Sequence, residues 1–137
     1  MVAAVVAAAV APGWRFLAVV LAVPFAWSAV AKAVAFGATS ADFAELGIRR
    51  PEVAVPAVCA AEAAAALLLL FRPRIGAILA LLLLTAFSGV LLSVLRSGRE
   101  VRCACFGAAS RRPVDERDLL RNGVLAAVAV VLVLVVP

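Results

Sequence analysis

Arg102-Cys103-Ala104-Cys105-Phe106-Gly107 is the stretch of this chain best equipped for chemistry. Two thiols one residue apart can close a small disulfide ring. A ring that short is strained, so it is easily reduced and suits exchange better than structural stapling. Arg99 and Arg102 lie beside the pair, and Arg111 and Arg112 follow. Cationic neighbours favour thiolate, the reactive form. Gly107 permits a tight turn, and Phe106 can anchor the segment at a membrane surface. Two thiolates are also half of a zinc site. The chain has no histidine to complete one, and no metal centre is expected. The plain alternative is that the two cysteines are incidental.

Three further residues sit inside apolar runs. Lys32 and Glu62 are the ionisable groups deepest in those runs, where a charge is costly and usually faces the interior of a bundle in a pair. Helical side chains lean toward the N-terminus of their helix. In antiparallel neighbours Lys32 and Glu62 therefore lean toward each other across an axial gap of about 6 Å. The pair reads as a register-fixing ion pair, as a snorkelling Lys32 beside a protonated Glu62, or as a polar site for a quinone, a lipid or a proton. Cys59 lies about two turns into its run and reads as a buried, inert thiol, with an accessory role as the alternative.

The elements that must hold these residues follow from composition. The chain has 137 residues, of which 67% are hydrophobic and 15% charged. A soluble domain of this size cannot hide so much apolar surface, so an integral membrane protein with the lipid bilayer as its first partner is expected. There is room for one domain over 1–137. Missing histidine also excludes a Ser-His-Asp triad, a His-ligated haem and a His general base.

Four runs are long enough to span: 14–36, 52–71, 75–95 and 119–136. Pro24 is expected to kink the first. The linker from Gly37 to Pro51 carries Phe43, Leu46 and Ile48 among polar residues and reads as a short interfacial helix. Pro113 and Asp115 suit the start of the last helix, and Glu116 and Asp118 favour its dipole. Short connections make consecutive spans antiparallel, so the expected fold is all-α, an up-down-up-down four-helix membrane bundle. Gly76 with Ala80, and Gly89 with Ser93, have the small-xxx-small spacing of close helix contact in lipid.

Sidedness is contested within the sequence. The 37–51 and 96–118 connections share one side, with Arg49, Arg50, Arg96, Arg99, Arg102, Arg111, Arg112, Arg117 and Arg121. The other side has only Arg15, Arg72 and Arg74. The positive-inside rule places the cysteine loop in the cytoplasm, whereas thiol oxidation belongs outside it. The cysteines decide the expectation: a multi-pass protein of the cytoplasmic membrane with an extracytoplasmic cysteine loop.

Three stretches together resemble the MauE/DoxX family of redox-associated membrane proteins, especially its MauE branch. They are Ser28-Ala29-Val30-Ala31-Lys32, Glu62 ahead of Leu67-Leu68-Leu69-Leu70, and Cys103-Ala104-Cys105-Phe106-Gly107 followed by Leu119-Leu120-Arg121-Asn122. The resemblance implies a four-helix membrane bundle with Cys103 and Cys105 as the redox pair. It also implies a role like that of MauE in maturing the disulfide-rich small subunit of methylamine dehydrogenase. The DoxX relatives imply the alternative, a non-catalytic anchor or assembly subunit of an oxidoreductase complex.

On the first reading the protein is a thiol-disulfide oxidoreductase that exchanges with a partner thiol or exported redox protein. The chain has no second exposed cysteine pair, so a partner protein or a quinone must take the electrons. A second copy of the chain is a further candidate partner, and nucleic acid is not. A third reading makes the chain a small-molecule or lipid carrier built around Lys32 and Glu62.

Overall fold

The computed structural model describes residue 2, residues 13–98 and residues 115–136. Five helices follow in order: α1 Trp14–Val34, α2 Phe36–Glu45, α3 Pro51–Phe71, α4 Pro73–Ser97 and α5 Glu116–Val135. All but α2 are long and apolar enough to cross a membrane. Among the described residues there is no strand. The protein is an all-α membrane helical bundle.

Local chemistry sets the boundaries. The first run breaks at Ala35, one residue before the expected end of its span, and continues as α2 within the linker. Pro24 lies inside α1, which stays helical on both sides of it. Pro51 and Pro73 open α3 and α4 at the position where a missing amide proton costs nothing. Gly98 closes α4 in the left-handed conformation, at φ 72°. The last helix starts three residues earlier than its apolar run because Asp115 caps it. Arg117 N donates to Asp115 Oδ1 at 2.8 Å, and Asp115 N donates to Asp118 Oδ2 at 3.0 Å. This reciprocal box satisfies two amides that the helix itself cannot.

The four long helices form a ring of contacts: α1 on α3, α3 on α4, α4 on α5 and α5 on α1. Each consecutive pair is antiparallel. Trp14 and Ala18, at the start of α1, meet Leu69 and Leu70, at the end of α3. Arg74, at the start of α4, donates to the carbonyl of Val136, just past α5. The core at this end contains Ala18, Leu21, Phe25, Leu69, Ala77 and Leu132. Helix α2 lies across the other end. Phe43 packs with Val55 of α3, while Leu46 reaches Leu91 and Val94 of α4.

Only Arg72 separates α3 from α4, so these two helices meet at once, and Gly76 is where they touch. A Cβ on Gly76 would stand 2.7 Å from Leu68 C and Leu69 Cα, a backbone clash that no rotamer relieves. Gly89 has nothing within 4 Å, so of the two small-residue pairs only Gly76–Ala80 marks a contact. Replacing Gly76 by valine is expected to destabilise the protein by about 1–3 kcal/mol through overpacking. Gly89→Val will be close to neutral. Thermal unfolding of both variants in detergent is the check, and equal melting temperatures would contradict it.

Candidate functional site

Ser28 and Lys32 are four residues apart on α1 and so share one of its faces. Opposite them on α3 stands Glu62. Lys32 Nζ lies 3.0 Å from Glu62 Oε1 and 3.2 Å from Oε2. Ser28 Oγ donates to Glu62 Oε1 at 2.9 Å, and Lys32 Nζ also donates to Ser28 Oγ. All three residues are fully buried. The carboxylate thus receives three hydrogen bonds from two donor groups of α1, and the ammonium is bonded on one side to a hydroxyl and on the other to a fork of two oxygens. Phe87 of α4 covers the ammonium, with its ring centre 5.6 Å from Nζ. A cation over an aromatic face is held by the ring quadrupole, and more strongly when water is excluded.

A second polar contact joins α4 to α5. Asn122 Nδ2 donates to Ser88 Oγ at 3.3 Å. Asn122 is fully buried, and its Oδ1 has no partner among the described residues. One turn earlier, the buried Asp118 carboxylate caps α5 and lies 3.4 Å from Arg121. Ser88 follows Phe87 directly, so the two polar contacts lie at one level of α4. Among the described residues, the buried polar side chains lie between the middle of the bundle, at Glu62, and the end where α1 finishes and α5 begins.

Lys32 and Glu62 are therefore brought together. Cys59 sits three residues before Glu62 and is half-buried rather than enclosed, packed against the Phe43–Val55 cluster. Cys103 and Cys105 lie outside the described residues, as do Arg102, Phe106, Gly107, Arg99, Arg111 and Arg112. Their segment leaves the fold at Gly98 and returns at Asp115. Among the described residues no group of three Cys, Asp or Glu side chains converges as a metal site would.

Sequence reasoning passed over Ser28, Phe87 and Asn122 as functional side chains. A signal existed for two of them. Ser28 is one helical turn from Lys32, and Asn122 is an amide at the threshold of an apolar helix. Phe87 gave none, because an aromatic in a spanning helix is ordinary.

Residues 3–135, essentially the whole chain, match the family model described as Methylamine utilisation protein MauE. No curated protein and no solved structure matches the chain.

Proposed function

Because the chain belongs to the MauE family, we propose that it is a thiol-redox protein of the cytoplasmic membrane that helps an exported partner form its disulfides. Cys103 and Cys105 are the exchanging pair. Their disulfide is attacked by a partner thiolate, giving a mixed disulfide. A second partner thiol resolves it. The partner leaves with a new S–S bond, and the loop leaves as a dithiol, with two electrons and two protons moved. The family description points to methylamine utilisation as the setting, with the enzyme's disulfide-rich subunit as the natural client.

One observation supports this reading above the others: the family match together with a Cys-x-Cys pair in the connection between α4 and α5. That connection opens from the end of the bundle toward which the buried polar side chains of the described residues are gathered. Lys32, Glu62 and Ser28 hold α1 and α3 in register beneath it, as positioning residues that do not exchange. The loop faces the extracytoplasmic side, where oxidising conditions let disulfides persist.

The test is labelling of intact cells with a membrane-impermeant maleimide, with and without prior reduction. Cys103 and Cys105 should label only after reduction, giving an oxidised pair that is reached from outside. Labelling that requires an opened membrane would place the pair in the cytoplasm. The chain would then be read as a DoxX-like anchor or assembly subunit instead.

A further inference from the structure

An open groove of about 420 Å³ lies where the start of α1 meets the end of α3. Its volume is more than ten times the roughly 30 Å³ share of a water molecule, so it has room for a headgroup rather than a single ion. Its walls are graded along the membrane normal. Trp14 and Arg15 stand at the rim, at the start of α1. Ala18 and Val19, one turn deeper, and Leu70 of α3 continue it as apolar surface. Val19 and Leu70 are exposed on the outside of the bundle. The groove thus changes from cationic to apolar over one helical turn, as a phospholipid changes from phosphate to acyl chain.

Charge at this end has one sign. Arg15 lines the groove, and Arg72 lies between two of its wall residues, Phe71 and Pro73. Both arginines are exposed, and neither has a carboxylate partner among the described residues. No acidic residue occupies the first turn of α1 or of α4. Glu62 is the nearest acid along α3, about 13 Å before Phe71, and it is already paired with Lys32. Arg74 is committed elsewhere, to the carbonyl of Val136. The Arg15 guanidinium lies over the Trp14 ring, 5.4 Å from its centre, which holds the cation at the rim.

We propose that this groove binds the headgroup of an anionic phospholipid, with Arg15 and Arg72 facing its phosphate and one acyl chain lying against Val19 and Leu70. Basic pockets between spanning helices at headgroup level suit such lipids, and a tryptophan belongs at that level. A zwitterionic lipid fits less well, because its ammonium finds two unpaired arginines and no carboxylate. The site lies at the opposite end of the bundle from the α4–α5 connection, and it stands independently of the thiol-redox reading.

The experiment uses the full chain carrying Trp27→Phe, which leaves Trp14 as its single tryptophan. In dodecyl maltoside it is titrated with phosphatidylglycerol brominated on the acyl chains near the glycerol. Bromine quenches tryptophan on contact. Quenching should reach its midpoint at a mole fraction at least tenfold below that for phosphatidylethanolamine with the same chains. An arginine near an anionic lipid is worth about fivefold. Arg15→Gln should therefore cut the preference about fivefold, and Arg15→Gln/Arg72→Gln should bring it within about twofold of none. Helical circular dichroism should be unchanged, since both side chains are exposed.

Arg49→Gln/Arg50→Gln, which removes two exposed charges at the opposite end, should keep the full preference. Equal quenching by the two lipids in the parent chain overturns the proposal, because the groove then takes acyl chains without regard to charge. So does a preference that survives Arg15→Gln/Arg72→Gln, or one that Arg49→Gln/Arg50→Gln removes. Inorganic phosphate at matched ionic strength should leave the quenching in place. Loss of quenching on adding it would make the groove a site for the free anion and overturn the lipid assignment.

Discussion

Replacing Glu62 with alanine will cost the protein about 3–5 kcal/mol, while replacing Glu62 and Lys32 together with leucine and methionine will restore most of it. The single change strands an ammonium that is fully buried and has lost both carboxylate contacts, at 3.0 and 3.2 Å. Ser28 Oγ and the face of Phe87 stay in contact with it, but neither carries a charge to neutralise it. The double change removes both charges and fills the same volume with apolar atoms. Replacement of a buried pair by well-packed hydrophobic groups is often neutral or stabilising. Denaturant unfolding in mixed micelles, followed by helical circular dichroism, measures both. A single variant as stable as the wild type would show that the pair carries nothing. A double variant as unstable as the single would show that the site needs its charges for folding.

Serine at Cys103 or at Cys105 will lower thiol exchange with a reduced client peptide by on the order of a hundredfold or more, since neither thiol completes the cycle alone. The two variants will differ in one respect. Offered the client as its disulfide, the variant that keeps the client-facing thiol will attack that S–S bond and accumulate a mixed disulfide, visible on a non-reducing gel, because the second loop thiol that would release it is gone. That asymmetry assigns the two roles. Cys59→Ala will exchange within about twofold of the wild type. Both single variants will insert and fold normally, since the change lies in a connection outside the helices that form the core. Exchange that persists undiminished in both would remove the thiol-redox reading and favour a membrane anchor.

The membrane fold was legible because apolar length is a coarse signal, and four runs of 18 or more residues leave few alternatives. The boundaries were less so. The start of α5 depends on the cap that Asp115 and Asp118 build together, and that cap overrides where the apolar run begins. The break at Ala35 has no such marker: neither a proline nor a glycine stands there. The short helix of the linker was legible, but that it follows α1 directly across Ala35 emerges only in the structure.

Lys32 and Glu62 stood out because charge is rare in spans, and the lean of their side chains pointed each at the other. Ser28 and Phe87, which complete the shell around the ammonium, are common residues whose placement depends on how α1, α3 and α4 are rotated. Rotation follows from close contacts such as Gly76 against Leu68 and Leu69. A spacing of small residues suggests such a contact but does not distinguish Gly76 from Gly89.

Among the described residues the buried polar side chains stop at mid-bundle, and from there to the opposite end the core is an insulator. From Ser28 back to Trp14, α1 runs about 21 Å, and from Glu62 to Phe71, α3 runs about 13 Å. The core over that stretch is alanine, leucine, valine and phenylalanine. Among the described residues of that stretch no core side chain can carry a proton, so this half of the bundle is a dry apolar plug between the buried charges and the far side of the membrane.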